Sequence, residues 1–342
     1  MEYIINLSRF LTEEDRNSLM QKHIKIIYES KFIELIGVET DNIREVKKME
    51  FIEKISRPVQ GEFQEGEFNS TITFEPRVRR TLLSSRSLVG WGDTRIAILD
   101  SGVKPDVSVT ATKDFTNTGM MDIQNHGNDV AKIVKFLAKG SSLFIAKVGN
   151  TKPTDLYVMH GLEWAYNQGA SIINISAGFN RRCSGNCNLC TLVNKIANAG
   201  VTIVIAAGNN ENLEDSIECP GHAINGITVG AVGHGCKLTS YTSFGKVGEG
   251  KPNIVAPGNL NIDGRYINGT SFASPFVSGV LGAILRKSGS VGKAVEYIYK
   301  SVDDLGHHSH EQGLGYLNLE KLVEVLDSEE NNSPSAGQNQ SS

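Results

Sequence analysis

Short apolar runs recur along residues 95–232, and within each run the hydrophobic residues are consecutive rather than alternating. They are Ile96-Ala97-Ile98-Leu99, Leu143 to Val148, Ile172 to Ile175, Val201 to Ala207 and Ile227 to Val232. Such runs fit parallel strands buried on both faces. Helical periodicity lies between or after them, over Val130–Leu137, Asp155–Gln168, Leu189–Ala199 and Phe272–Leu285. This pattern predicts an α/β fold with a doubly wound, mostly parallel sheet. Residues 1–60 follow a different pattern. Tyr3 to Leu7 reads as a strand, and Thr12 caps a helix running to about Lys22, with Asp15 in the capping-box position. Ile24–Tyr28 and Phe32–Val38 form a hairpin pair, Asp41-Asn42 caps a second helix over Ile43–Lys48, and Phe51–Ile55 is a last strand. That order describes a small α+β, ferredoxin-like unit. The expected domains are therefore 1–60, a linker with a processing region over 61–88, a large unit over 89–326, and a disordered tail over 327–342 rich in Ser, Asn, Gln and Glu.

Composition narrows the classes. With 39% hydrophobic and 21% charged residues the chain is a soluble globular protein, and a net charge of −4 gives no nucleic-acid footprint. No apolar run reaches the roughly 18–20 residues of a membrane helix. The start, Met1-Glu2-Tyr3-Ile4-Ile5-Asn6, lacks the basic and apolar regions of a secretory signal. Five cysteines do not suit a closed disulfide framework. The expected location is cytoplasmic, with secretion by another route as the alternative.

Candidate chemistry sits at element ends. Ser271, in Asn268-Gly269-Thr270-Ser271-Phe272-Ala273-Ser274-Pro275, opens a helical pattern whose Gly279 and Gly282 allow close packing. A serine at a buried helix N-terminus suits an acyl-transfer nucleophile and its oxyanion. Such a serine needs a base, and the base needs a buried carboxylate. Asp100 ends the first strand, in Leu99-Asp100-Ser101-Gly102, and His126 precedes a helix, in Asn125-His126-Gly127-Asn128-Asp129-Val130. Each segment alone also reads as a turn or capping residue. Together, in the order Asp100, His126, Ser271, they are far more specific.

These three segments resemble those of the subtilisin-like serine proteases, the subtilases. The resemblance covers residues 90–325 with strong motifs and 1–60 more weakly. It implies a serine endopeptidase with Asp100, His126 and Ser271 as the triad and Asn209, in Ala206-Ala207-Gly208-Asn209, as oxyanion donor. It implies substrate binding at Ser176-Ala177-Gly178 by strand addition, with Ala207 and Gly208 beside it. Lys251 to Gly258 and Gly313 to Asn318 match further family segments. Residues 1–60 resemble the family's prosegment, which implies a precursor that processes itself and an intramolecular inhibitor. Arg77, Arg79, Arg80 and Arg86 supply basic sites in the linker. Peptide or protein substrates are the implied partners, with no cofactor.

The departures matter as well. Asn128-Asp129 and Lys132 replace the usual Thr-His and Gly near the histidine. The helix after His126 reaches Lys139-Gly140 with no inserted calcium loop, and Gly149 to Asp155 is short, which leaves the second wall of the substrate track undefined. Glu218 stands where subtilases often have Gly, at the floor of the acyl-side pocket, which implies cutting after Arg or Lys; the alternative is that Glu218 faces solvent. Cys183, Cys187, Cys190 and Cys219 are read as free thiols, with a zinc site or a disulfide as alternatives, so no metal is expected. His307, His308 and His310 read as a solvated loop. Two other functions compete: a catalytically silent subtilase-fold scaffold, and an esterase or amidase, which the peptide-binding strand disfavours.

Overall fold

The structure is a computed structural model and describes residues 1–63, 81, 94–180 and 183–332. The N-terminal unit runs β1 (Glu2–Leu7), α1 (Glu13–Gln21), β2 (Lys25–Glu29), β3 (Leu35–Glu39), α2 (Ile43–Val46) and β4 (Ile52–Ser56). Its antiparallel sheet has the order β2-β3-β1-β4. Period-two alternation divides β1. Tyr3, Ile5 and Leu7 bury against Leu19 of α1 and Val46 of α2, while Ile4 joins Tyr28 and Leu35 in a cluster shared with the large unit. Thr12 and Asp15 form the expected capping box: Thr12 Oγ1 accepts from Asp15 N at 3.2 Å, and Asp15 accepts from Thr12 N at 2.7 Å. Two elements are shorter than expected. Asn42 makes no capping bond, and α2 stops after one turn. The Ser30 hydroxyl accepts from Phe32 N and Ile33 N, a turn that delays β3 to Leu35.

The large unit runs β5 (Glu62–Phe63), β6 (Arg95–Asp100), β7 (Ala111–Asp114), α3 (His126–Leu137), β8 (Ser142–Lys147), α4 (Asp155–Asn167), β9 (Ile172–Ile175), β10 (Ala177–Gly178) and α5 (Asn188–Asn198). It continues with β11 (Thr202–Ala206), β12 (Ile227–Val232), β13 (Ile254–Pro257), the hairpin β14 (Asn259–Ile262) and β15 (Arg265–Asn268), and α6 (Thr270–Ser288). It closes with α7 (Val291–Lys300), β16 (Val302–Asp303), α8 (Ser309–Gln312), β17 (Tyr316–Leu317) and α9 (Leu319–Asn332). The sheet order is β16-β17-β13-β12-β11-β9-β6-β8-β7, parallel except at β16–β17. The apolar runs of the sequence are its central strands. The mostly parallel α/β expectation therefore holds.

Two boundaries are corrected. Residues 61–63 are not linker, because β5 pairs antiparallel with β10. Residues 327–332 are not a disordered tail, because α9 runs through Asn332. Leu319, Leu322 and Leu326 are buried, Tyr297 donates to Glu329 at 3.2 Å, and Lys287 pairs with Glu330 at 2.5 Å. The polar composition that suggested disorder is the solvent side of an amphipathic helix. Residues 333–342 and Arg77, Arg79, Arg80 and Arg86 lie outside the described residues.

Candidate active site

The strand order reverses at β6, with β8 and β7 on one side and β9, β11, β12 and β13 on the other. Such a switch point leaves a crevice at the carboxyl ends of the strands. Asp100 ends β6, Ser176 follows β9, and Ala207 and Gly208 follow β11. His126 and Ser271 reach the same edge from the first turns of α3 and α6. Helix α6 packs closely on α3 and on β6 because two positions lack side chains. A methyl at Gly279 would meet Leu137 Cβ at 2.7 Å, and one at Gly282 would meet Ile96 Cδ1 at 2.6 Å.

Asp100 is fully buried. Its Oδ1 accepts from Ser101 N at 2.7 Å and lies 2.6 Å from His126 Nδ1. Burial pushes the carboxyl up, and His126 pulls against that. When Asp100 is ionised it only accepts, which puts the hydrogen on Nδ1 and leaves Nε2 as the basic nitrogen. The His126 ring centroid lies 5.4 Å from that of Phe272, the neighbour of Ser271. Ser271 itself is buried.

Thr270, which carried no expectation, organises the next group. Thr270 N donates to Asn209 Oδ1 at 3.0 Å, and its hydroxyl accepts from Gly208 N at 3.1 Å. With Oδ1 held this way, Nδ2 is the end of Asn209 that can face a substrate. Gly269 before it has φ 142°, a conformation open mainly to glycine. Ser176 joins the strand edge to the nucleophile helix: its hydroxyl donates to Ser271 O at 2.8 Å and accepts from Asn174 Nδ2 at 2.8 Å. Ser278 of α6 donates to Asn174 Oδ1 at 3.0 Å.

Ala177 and Gly178 form β10 as an available edge, and β5 occupies it, with Phe63 opposite Ala177 and Glu62 opposite Gly178. A second edge lies opposite it despite the short segment. Gln60 bridges Thr154, Gly61 N donates to Pro153 O at 2.8 Å, and Val59 N donates to Asp155 Oδ1 at 2.8 Å. An extended segment from Val59 to Phe63 thus lies between two edges, and the Phe63 ring sits 5.2 Å from the His126 ring. Sequence reading missed this segment because only the pairing, not the composition of residues 59–63, reveals it.

Glu218 does not face solvent; it is 7% exposed. Its N donates to Ala207 O at 2.9 Å and its Oε1 accepts from Asn210 Nδ2 at 2.7 Å. A methyl at Gly208 would come within 3.0 Å of Glu218 Cγ, so the carboxylate stem lies against the backbone beside Asn209. The departures near His126 form a polar lattice. Asp129 accepts from Arg265 of β15 at 2.6 Å, Lys132 pairs with Asp106 at 2.7 Å and Asp263 at 2.6 Å, and Asn128 Oδ1 accepts from Lys104 N at 2.9 Å. Behind them Asp122 accepts from Ser101 Oγ at 3.0 Å and Asn128 N at 2.9 Å, while Gly127 N donates to Ser101 Oγ. No motif marks Asp122.

The N-terminal unit docks on α4 and α5. Buried Glu163 accepts from Tyr28 OH at 2.8 Å, from the Ser30 hydroxyl and from Lys31 N. Asn6 Nδ2 donates to Asn188 Oδ1 at 2.8 Å, and Tyr157 OH donates to Glu2 Oε1 at 3.0 Å. His160 packs between Tyr28 (4.3 Å) and Phe115 (5.2 Å), and its Nε2 is buried with no hydrogen-bond partner. Burial, with Lys113 nearby, lowers its pKa to about 4.

Residues 92–315 match the family model of peptidase S8, the Subtilase family. The chain is 30% identical to M-protease of Shouchella clausii (strain KSM-K16) over 236 residues, which are 63% of this chain and 59% of that protein. Over 236 residues it is also 30% identical to Subtilisin BL of Lederbergia lenta, of which it covers 84%. Its fold is similar to that of the epidermin leader peptide processing serine protease of Staphylococcus aureus, with a TM-score of 0.77, 20% identity and coverage of 95% of this chain and 99% of that one. The family match takes in the strands and helices that carry Asp100, His126, Asn209 and Ser271, and the chain belongs to the subtilase family.

Proposed function

We propose that this protein is a serine endopeptidase made as a self-processing precursor. The observation that carries the reading is the extended segment Val59–Phe63, held like a bound peptide between β10 and Pro153–Thr154 with Phe63 against His126. Ser271 Oγ attacks the scissile carbonyl while His126 Nε2 takes its proton and later gives it to the leaving amine; Asp100 stabilises the imidazolium. Ser271 N–H and Asn209 Nδ2 receive the oxyanion, and water then releases the acyl group. The silent-scaffold alternative is tested with a fluorophosphonate probe on the processed protein. Labelling that disappears in Ser271→Ala supports the enzyme, and no labelling of the wild type rejects it.

The acyl-side pocket accepts a donor. Glu218, inside the fold and paired with Asn210, can also receive Arg or Lys, and charge-assisted bonds are strong where water is excluded. Replacing Glu218 by Gln should lower kcat/KM for an Arg peptide by about 10- to 100-fold while leaving a Phe peptide nearly unchanged. A wild type that prefers Phe removes this role.

Residues 1–63 act as the inhibitor after processing, because they cover the site and dock through Tyr28, Ser30 and Glu163. The docking should weaken in acid. Docked His160 is neutral with its pKa lowered to about 4, whereas an undocked imidazole titrates near 6.5. The free form therefore binds the proton more readily, so docking is intact above about pH 6.5 and is lost as pH falls toward 4, by up to tenfold per unit. Dissociation of the cleaved complex, followed from pH 7.5 to pH 5, checks the slope, and His160→Phe should flatten it.

A further inference from the structure

Four of the five cysteines converge on one point. Cys183 Sγ lies 3.6 Å from Cys190 Sγ, Cys219 Sγ lies 3.1 Å from Cys187 Sγ and 3.6 Å from Cys190 Sγ, and all four sulfurs fall within 4.8 Å of one another. A zinc–sulfur bond of about 2.3 Å places the sulfurs of a tetrahedron about 3.8 Å apart. Cys190 and Cys219 are fully buried, and Cys183 and Cys187 are half-buried. The sequence left these residues as free thiols, because their spacing is not a pair of C-x2-C knuckles; the fold supplies the fourth from a segment 29 residues beyond Cys190.

We propose that Cys183, Cys187, Cys190 and Cys219 hold one zinc ion as a tetrahedral four-thiolate site. Three further observations agree. Cys187 is the N-cap of α5, and its sulfur accepts from Cys190 N at 3.5 Å. Cysteine is a weak cap as a thiol, but a thiolate there meets the helix dipole and an orphan N–H, both of which favour negative charge. Burial lowers the pKa of Lys251 to about 8 against the pull of Glu249 and then of Cys190, and a cation there offsets part of a doubly negative zinc–thiolate group. Cys183 also lines a polar cavity of about 650 Å³ whose charged groups are Glu214, Asp215, Lys246 and the His222–Glu249 pair, so the cluster is open to solvent and to an entering ion on that side. Thiolate donors in tetrahedral array select zinc over the hard cations. Binding releases the thiol protons to solvent and involves no change of oxidation state.

The site has a structural consequence. Cys183 and Cys187 lie on the loop after β10, while Cys219 follows Glu218. Phe179 N donates to Cys219 O at 2.9 Å, and Cys219 N donates to Phe179 O at 3.2 Å. Zinc would staple the strand that binds substrate to the segment that carries Glu218, where two backbone bonds already join them.

The test uses the full chain purified without chelator. Elemental analysis should find one zinc per chain in the wild type and in Cys236→Ser, whose sulfur lies outside the cluster. Cys183→Ser and Cys219→Ser should weaken zinc binding by more than the roughly 10–100-fold lost with an outer-shell partner. Exchange of the wild type into cobalt should give a sulfur-to-metal charge-transfer band and intense visible bands of tetrahedral cobalt, a readout that needs no variant to fold. Wild-type protein without bound metal whose five thiols all react after denaturation overturns the proposal. So does a single reactive thiol, which means disulfides, or iron in place of zinc.

Discussion

Replacing Ser271 by Ala is expected to reduce peptide hydrolysis by about 10⁶-fold, and His126→Ala by a similar factor, the sizes seen for the same triad in subtilisin. Asp100→Asn should cost less, about 10⁴-fold, because it removes the group that orients the base but leaves base and nucleophile in place. The double variant Ser271→Ala/His126→Ala should be no worse than either single, since a base without a nucleophile does nothing. The structure explains why the aspartate effect should be large at all. Asp100 is fully buried and its Oδ1 receives both Ser101 N and His126 Nδ1, so a neutral Asn oxygen in that place accepts more weakly and leaves the imidazolium without its counter-charge. Measuring kcat/KM on one peptide at equal protein concentration, with the N-terminal segment of every variant removed by an added and then inhibited protease, checks this. Full activity in any of the three removes that residue from the mechanism.

The parts legible in the sequence are those written as contiguous patterns. The central strands are runs of four to seven apolar residues because both faces are covered, and α6 announces itself through small residues that allow contact with Leu137 and Ile96. Asp100, His126, Asn209 and Ser271 each sit at an element end, where a short motif is enough to find them. What was not legible depends on distant pairing. Thr270 anchors Asn209 across 61 positions, Glu163 receives Tyr28 across 135, and Cys219 meets Cys190 across 29. The second edge at Pro153–Thr154 was unreadable for the same reason, since its partner is Gln60–Gly61. The tail was misread because composition cannot separate a solvated helix face from disorder. Glu218 was placed by resemblance, and its burial against Gly208 shows that it points inward.

Self-processing should cut the bond after Gln64 first, ahead of the arginines of the linker. Phe63 pairs with Ala177 and Glu62 with Gly178, so a peptide continuing in this antiparallel register sets its next residue opposite Ser176. Ser176 is bonded to Ser271 O, which fixes the distance between this edge and the nucleophile. The residue after Phe63 in the sequence is Gln64, outside the described residues, and a chain kept in this register would present its carbonyl there. A glutamine side chain is a donor, so the proposed pocket at Glu218 would receive it as it would receive Arg. The penalty is that a neutral donor makes the weaker bond, which should make the first cut slow relative to later cutting of Arg substrates in trans. Intramolecular presentation offsets this, because a segment already held at the site reacts without the entropy loss of association. Mass spectrometry of the stored wild type should therefore show a new N-terminus at Glu65, with shorter products after Arg77, Arg79, Arg80 or Arg86 appearing later and at a rate that rises with protein concentration. Ser271→Ala should remain full-length. Gln64→Arg should speed the first cut by about tenfold or more if the pocket acceptor is Glu218. A first N-terminus inside the arginine cluster, with residue 64 uncut, would show that the register breaks between Phe63 and Ser271.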